Sequence, residues 1–188
     1  TDRKWQETDK KLQESDVRFQ AWLEKSFQKT EALIQQLSRD TEKKIGEITG
    51  KWSHFVEGLV APAVSRLFAE RGIVVTDLAW HVQRQRGDEG IEIDLFAKNG
   101  EYAILIEAKS TLGVDDVNEH LERMQKFSRF FPEYKDLKAI GAVAGIVIPK
   151  NVATYAYRQG LFVIAQSGET VKILNDEKFR PKFWTVSE

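Results

Sequence analysis

A mixed α/β domain behind a long charged helix is the fold class that this sequence of 188 residues predicts. Three observations lead there. The first fifty residues hold no Pro, only Gly46 and Gly50, and balance ten Lys/Arg against ten Asp/Glu. From Trp52 onward β-branched and aromatic residues arrive in blocks punctuated by Gly and Pro. Within that second part, stretches of helical period alternate with short strand-like runs, the order expected of a central mixed sheet flanked by helices. We therefore divide the chain into a helix over 1–51 and a globular domain over 52–188.

The N-terminal part opens on a repeat. Trp5, Leu12 and Phe19 recur every seven residues, so they share one stripe of a helix. The period then drifts to eleven through Leu12, Leu23, Ile34, Ile45 and Val56, with Leu37, Ile48 and Leu59 three residues after the later ones. An eleven-residue repeat relaxes or reverses a left-handed supercoil. The stripe is narrow and flanked by charges of both signs at helical spacing. It predicts a coiled coil that makes the chain a homo-oligomer, against the plainer alternative of a helix folded back on its own domain. Fifty helical residues at ~1.5 Å each would form a stalk or spacer of roughly 75 Å.

In the globular part, His54–Arg71 has helical period through Phe55, Leu59, Val64, Leu67 and Phe68, with Pro62 inside and Gly72 as C-terminal cap. Ile73–Thr76 and Leu78–Gln85 are strand-like. Ile91–Lys98 alternates, which predicts Ile91, Ile93 and Leu95 on one face and Glu92, Asp94 and Phe96 on the other. Asn99-Gly100 predicts a two-residue type I′ turn. That turn would set Lys98 opposite Glu101 and Asp94 opposite Leu105, with Glu107 diagonal to Asp94. Tyr102–Lys109 returns as a strand. Asp115–Phe131 is an amphipathic helix, Lys138–Ile148 a buried strand, and Asn151–Gln159 a short helix with Asn151 as N-cap. Leu161–Ala165 and Thr170–Leu174 are short final strands.

One constellation carries chemistry. Ile104-Leu105-Ile106 runs straight into Glu107-Ala108-Lys109, and Asp94 stands on the neighbouring strand. Charge is costly in a strand interior. Two carboxylates at close range repel and favour a divalent cation between them, and oxygen ligands suit Mg²⁺ or Mn²⁺. Lys109 could orient or deprotonate a water, or stabilise developing phosphoryl charge. The plain alternative is an ion pair between Lys109 and Glu107.

At these residues the sequence resembles the PD-(D/E)XK nuclease superfamily, whose signature is an Asp on one strand and Glu-x-Lys on the next. Here it reads Ile93-Asp94 and Glu107-Ala108-Lys109, with Ile93 in place of the usual Pro. The resemblance spans about Trp52–Leu174. It implies a restriction-endonuclease-like αβββαβ core, metal held by Asp94, Glu107 and the backbone carbonyl of Ala108, and hydrolysis of DNA phosphodiester bonds. It also implies a Glu on the first core helix, for which Glu57 is the candidate, and a polar residue on the later helix, for which Gln125 is the best match. Arg84, Arg86, Lys126 and Arg129 are candidate phosphate contacts.

Composition sets the limits. Net charge is −1 and the pI about 6.3, which argues against a polybasic binder. With no cysteine, disulfide scaffolds, zinc–thiolate sites and thiol catalysis are excluded. His54, His81 and His120 are scattered, without zinc-ligand spacing. The longest apolar runs, such as Ala139–Ile148, are too short to span a bilayer. These features lead us to expect a cytoplasmic protein without a membrane partner. The expected function is a metal-dependent nuclease on an oligomerising stalk. The alternative is a non-catalytic adaptor that binds nucleic acid or protein, and a further one is a subunit of a larger assembly.

Overall fold

The computed structural model describes residues 2–184. The chain divides into two units, Thr1–Ile48 and Thr49–Glu188. Helix α1 (Asp2–Ala69) supplies the first unit and the first element of the second. In the first unit it leaves Phe19, Trp22, Phe27, Leu33, Ile34 and Leu37 exposed, with the rings of Phe19 and Trp22 stacked. Thr30 and Thr41 return their hydroxyl protons to the carbonyls of Ser26 and Leu37 one turn back, so these polar residues satisfy themselves within the helix. The side chains of Trp5, Leu12, Ile48 and Trp52 lie outside the described residues.

The second unit is a mixed α/β structure on a six-stranded sheet, with strands in the order of the chain. β1 (Asp77–Arg86), β2 (Glu89–Lys98) and β3 (Tyr102–Thr111) form an antiparallel meander. Helix α2 (Val114–Phe130) crosses to β4 (Lys138–Val147), which is parallel to β3. Helix α3 (Lys150–Arg158) crosses to β5 (Phe162–Ser167), parallel to β4, and β6 (Thr170–Ile173) pairs antiparallel at the edge. One core lies between the sheet and α1, built on Val56, Val60, Val64, Leu67 and Phe68. The other lies under α2 and α3, built on Val117, Met124, Phe127, Val152 and Ala156. Gly141 on β4 leaves room for Leu161 and, from α2, for Met124. A Cβ there would stand 2.5 Å from Leu161 and 3.0 Å from the Met124 sulfur. Among the described residues no helix is long and apolar enough to cross a membrane.

Several details differ from the sequence reading. Ile73–Thr76 is not a strand: Ile73 closes the end of α1 by donating to Phe68 O, with Gly72 left-handed beside it. The cap of α3 is Pro149, which makes no side-chain bond, so Asn151 already lies inside the helix. The β2–β3 hairpin turns one residue later than predicted. Asn99 N–H donates to Tyr102 O, Lys98 pairs with Ala103, and the turn residues are Gly100 and Glu101. The cause is the Asn99 side chain. Its Oδ1 accepts from the backbone N–H of Glu101 and Tyr102, and its Nδ2 donates to Val74 O. Gly100 is not left-handed, so the type I′ geometry is not used.

The largest difference is in the pleat of β2. Ile91 and Ile93 pack in the α2-side core, but Leu95 and Ala97 pack in the α1-side core. The strand exchanges faces at Asp94. β1 does the same opposite it: Trp80 pairs with Leu95 and Val82 with Ile93, while His81 between them has φ 49°. A non-glycine residue in this region is strained, and His tolerates it better than most.

His120 shows how firmly α2 is fixed. It is fully buried, and its Nε2–H donates to Leu105 O at 3.1 Å. Burial, aided by the charge of Arg123, pushes its pKa down to about 3. An unfolded histidine takes a proton near 6.5. The unfolded chain therefore binds a proton that the folded chain refuses, and this group lowers stability as pH falls from about 6.5 toward 3. We expect His120→Leu to lose about 1–3 kcal/mol at pH 7, because Leu105 O is left unpaired. Between pH 6.5 and 4.5 it should decline less steeply than wild type in denaturant titrations. Parallel declines would remove this role for His120.

Candidate functional site

The site starts at the end of the β2–β3 ladder. The last paired residues are Leu95 and Ile106. Beyond them β2 parts from β3, and the Asp94 side chain takes the place of the next rung: its Oδ2 accepts the Ala108 N–H at 2.9 Å. The register observed, two residues from the one predicted, carries Asp94 toward Glu107 rather than Leu105. The pair expected from the sequence is thus brought together by a different register.

Glu107 is buried, and both its oxygens are held. Lys109 Nζ lies 3.1 Å from Oε1, and Arg123 on α2 donates to Oε2 at 2.7 Å. Burial and then the nearby Asp94 carboxylate still push its pKa up to about 7, against the pull of Arg123 and Lys109. Lys109 is raised as well, and there the rise favours the charged form. Burial pulls it down, but Glu107, Asp116 and Asp94 outweigh burial and raise it. Lys109 is therefore held as an ammonium, suited to orienting or neutralising rather than to taking a proton.

Glu57, on α1, is buried too. Its Oε2 lies 2.9 Å from His81 Nε2 and 3.7 Å from His54 Nδ1, yet no hydrogen bond of good geometry reaches that atom. Burial first, and Asp94 second, raise its pKa despite the two imidazoles. Asp94 from β2 thus acts on two buried carboxylates, Glu57 from α1 and Glu107 from β3. Glu92 is exposed, and a ligand atom of it lies within 4.8 Å of those of His81 and Asp94.

A cleft of about 710 Å³ opens beside this cluster, between the β1–β2 hairpin and α2. Arg84, Arg123 and Lys126 line it, together with Glu92, Glu119 and Glu122. Arg84 braces the structure: it donates to Phe130 O, pairs with Glu133 at 2.6 Å and lies over the Phe131 ring. Arg129 pairs with Glu89, and Arg86 stands exposed at the end of β1. Gln125 is exposed, and the α2 residue that reaches Glu107 is Arg123 instead. The sequence reading missed Arg123, His54 and His81. Arg123 had a signal, because it sits one residue before Met124 on the stripe that buries His120 and Phe127. The two histidines had none, because they are 27 positions apart in the chain.

A family model, a domain of unknown function (DUF8196), matches residues 63–173, more than half of the chain. None of the curated proteins matches. Among solved structures, one titled "Crystal Structure of Protein of Unknown Function AF1548" is similar over 65% of this chain and 61% of its own, at 17% identity and a TM-score of 0.40. The family match contains His81, Asp94, Glu107, Lys109 and Arg123, while His54 and Glu57 lie before it.

The raised Glu107 pKa has a measurable consequence. The folded chain keeps this proton up to about 7, whereas the unfolded chain releases it near 4.5. Without metal, the group therefore removes stability as pH rises from about 4.5 through 7. Glu107→Gln should gain on wild type by up to ~3 kcal/mol between pH 5 and pH 8. The check is the difference in unfolding free energy at those two pH values. A constant difference would mean that Glu107 titrates as an ordinary carboxyl.

Proposed function

The chain belongs to the DUF8196 family, and we propose that its globular unit is a metal-dependent nuclease of the PD-(D/E)XK kind, acting on the phosphodiester bonds of DNA. What carries this reading is the convergence of Asp94, Glu107 and Lys109 where β2 leaves β3 beside an open cleft. The order of α1, the β1–β2–β3 meander, α2 and β4 supports it as a restriction-endonuclease-like core. The donor set is all oxygen and carries more negative charge than its burial tolerates, which suits a hard dication.

Asp94, Glu107 and the Ala108 carbonyl would hold Mg²⁺ or Mn²⁺, which when bound polarises a phosphoryl oxygen and acidifies a water. In a strand a residue's N–H and C=O leave by the same edge. The Ala108 carbonyl therefore faces the gap that Asp94 fills. Arg123 fixes Glu107 from α2. Lys109, a third exposed, can turn from Glu107 toward a phosphate and stabilise charge that develops there. Lys126 and Arg123, on the cleft wall, supply phosphate contacts.

One observation favours the non-catalytic adaptor: Glu107 is already neutralised by two cations. Lys109→Met separates the readings, because it keeps the aliphatic stem and removes the charge. In a nuclease, cleavage of DNA with Mg²⁺ or Mn²⁺ should fall by about 10² or more while the fold holds. Asp94→Asn should abolish cleavage as well. If the triad is structural, Lys109→Met should instead lower stability by about 1–3 kcal/mol, with no wild-type cleavage to lose.

The first unit belongs to the same proposal, as a segment that joins copies of this chain. Its exposed Phe19, Trp22, Ile34 and Leu37 form an apolar arc with the self-satisfied Thr30 and Thr41, and its charges balance, as a self-pairing helix needs. Ile34→Glu with Leu37→Glu in the full chain should shift sedimentation from oligomer to monomer. A wild type that sediments as a monomer at every working concentration would end this part of the proposal.

A further inference from the structure

We propose that His54, Glu57 and His81 form a binding site for a transition-metal ion of the Zn²⁺ class, which borders Asp94 through His81 but does not use the Asp94–Glu107 pair. The three residues come from one turn of α1 and the face-exchange point of β1. Each offers one ligand atom within 4.8 Å of those of the other two, and Glu57 Oε2 lies 3.7 Å from His54 Nδ1 and 2.9 Å from His81 Nε2. Two ligands each about 2.1 Å from a tetrahedral ion stand roughly 3.4 Å apart. The observed 2.9 Å and 3.7 Å from Glu57 Oε2 bracket that spacing.

The second observation is the state of Glu57 itself. Its side chain is only 4% exposed, and Oε2 points between the two imidazoles without a well-directed hydrogen bond. A buried carboxylate oxygen left so is costly unless a ligand completes it. The backbone adds to the case. His81 adopts φ 49°, a strained conformation, and its ring stands edge-on to that of His54, with centroids 5.3 Å apart. Two imidazoles and one carboxylate are the ligand types preferred by Zn²⁺ and its neighbours, whereas Mg²⁺ prefers oxygen alone. His54 is largely exposed, so a fourth position is open to water or to an exogenous ligand. The site stands whether or not the Asp94–Glu107 pair cleaves DNA.

The test is calorimetric titration of the full chain with Zn²⁺ alone and with Zn²⁺ in millimolar Mg²⁺. We expect one Zn²⁺ per chain, a similar affinity in both, and a higher melting temperature with Zn²⁺. His54→Gln changes an exposed side chain and leaves the fold alone, yet it should weaken Zn²⁺ by about tenfold or more. His81→Asn keeps a residue that accepts the left-handed backbone and should weaken binding as much. Glu107→Gln should bind Zn²⁺ like wild type. Zn²⁺ affinity unchanged in both histidine variants would overturn the proposal. So would loss of Zn²⁺ binding in Asp94→Asn alongside full binding in His54→Gln, because the ion would then sit with Asp94.

Discussion

The arrangement of the globular unit depends on the hydrogen bond from Ala108 N–H to the Asp94 carboxylate. It stands where the next backbone rung between β2 and β3 would otherwise form. A side chain in place of a carbonyl lets β2 leave β3 without leaving a buried N–H unpaired. That departure opens the gap, and the gap is what gives Asp94, Glu107 and Lys109 a common space. The exchange of faces at the same point has a partner in the left-handed His81 on β1. The two strands keep their register because neither gains a residue, yet the core they serve changes from one side of the sheet to the other.

Charge follows this division. On the α2 side, Glu107 is buried with two cations. On the α1 side, Glu57 is buried with two imidazoles. Asp94 lies where the faces meet and raises the pKa of both. Burial is the larger cause in each case, so the interior would reject these carboxylates without their partners. The structure places the compensating groups on separate elements, which ties α1, β1, β3 and α2 to the site. Arg123 thus does two things from one helix position: it holds Glu107, and its charge helps keep the neighbouring His120 neutral.

The first unit poses a different physical problem. Aromatic and aliphatic side chains such as Phe19, Trp22 and Leu37 are exposed on a helix whose remaining surface is charged. A single helix gains little from such residues in water. Threonines within the stripe bond their own backbone, which leaves their methyl groups available for packing.

The sequence by itself determined which elements form and roughly where, because period, Gly and Pro act locally. The stripe of α2, the buried run of β4 and the Glu107-Ala108-Lys109 exit from an apolar strand were all legible. The turn at Asn99 was legible as a turn but not in its register, since that rests on a bond to Val74 from outside the hairpin. The face exchange at Asp94 was hidden, because Ile91, Ile93, Leu95 and Ala97 are apolar whichever core they enter. The stripe of α2 pointed toward Arg123, but only the tertiary structure decided that it, rather than Gln125, meets Glu107, and that His54 and His81 meet at Glu57. Those outcomes depend on the rotation of a helix and on one strained residue, where packing of distant segments outweighs local preference.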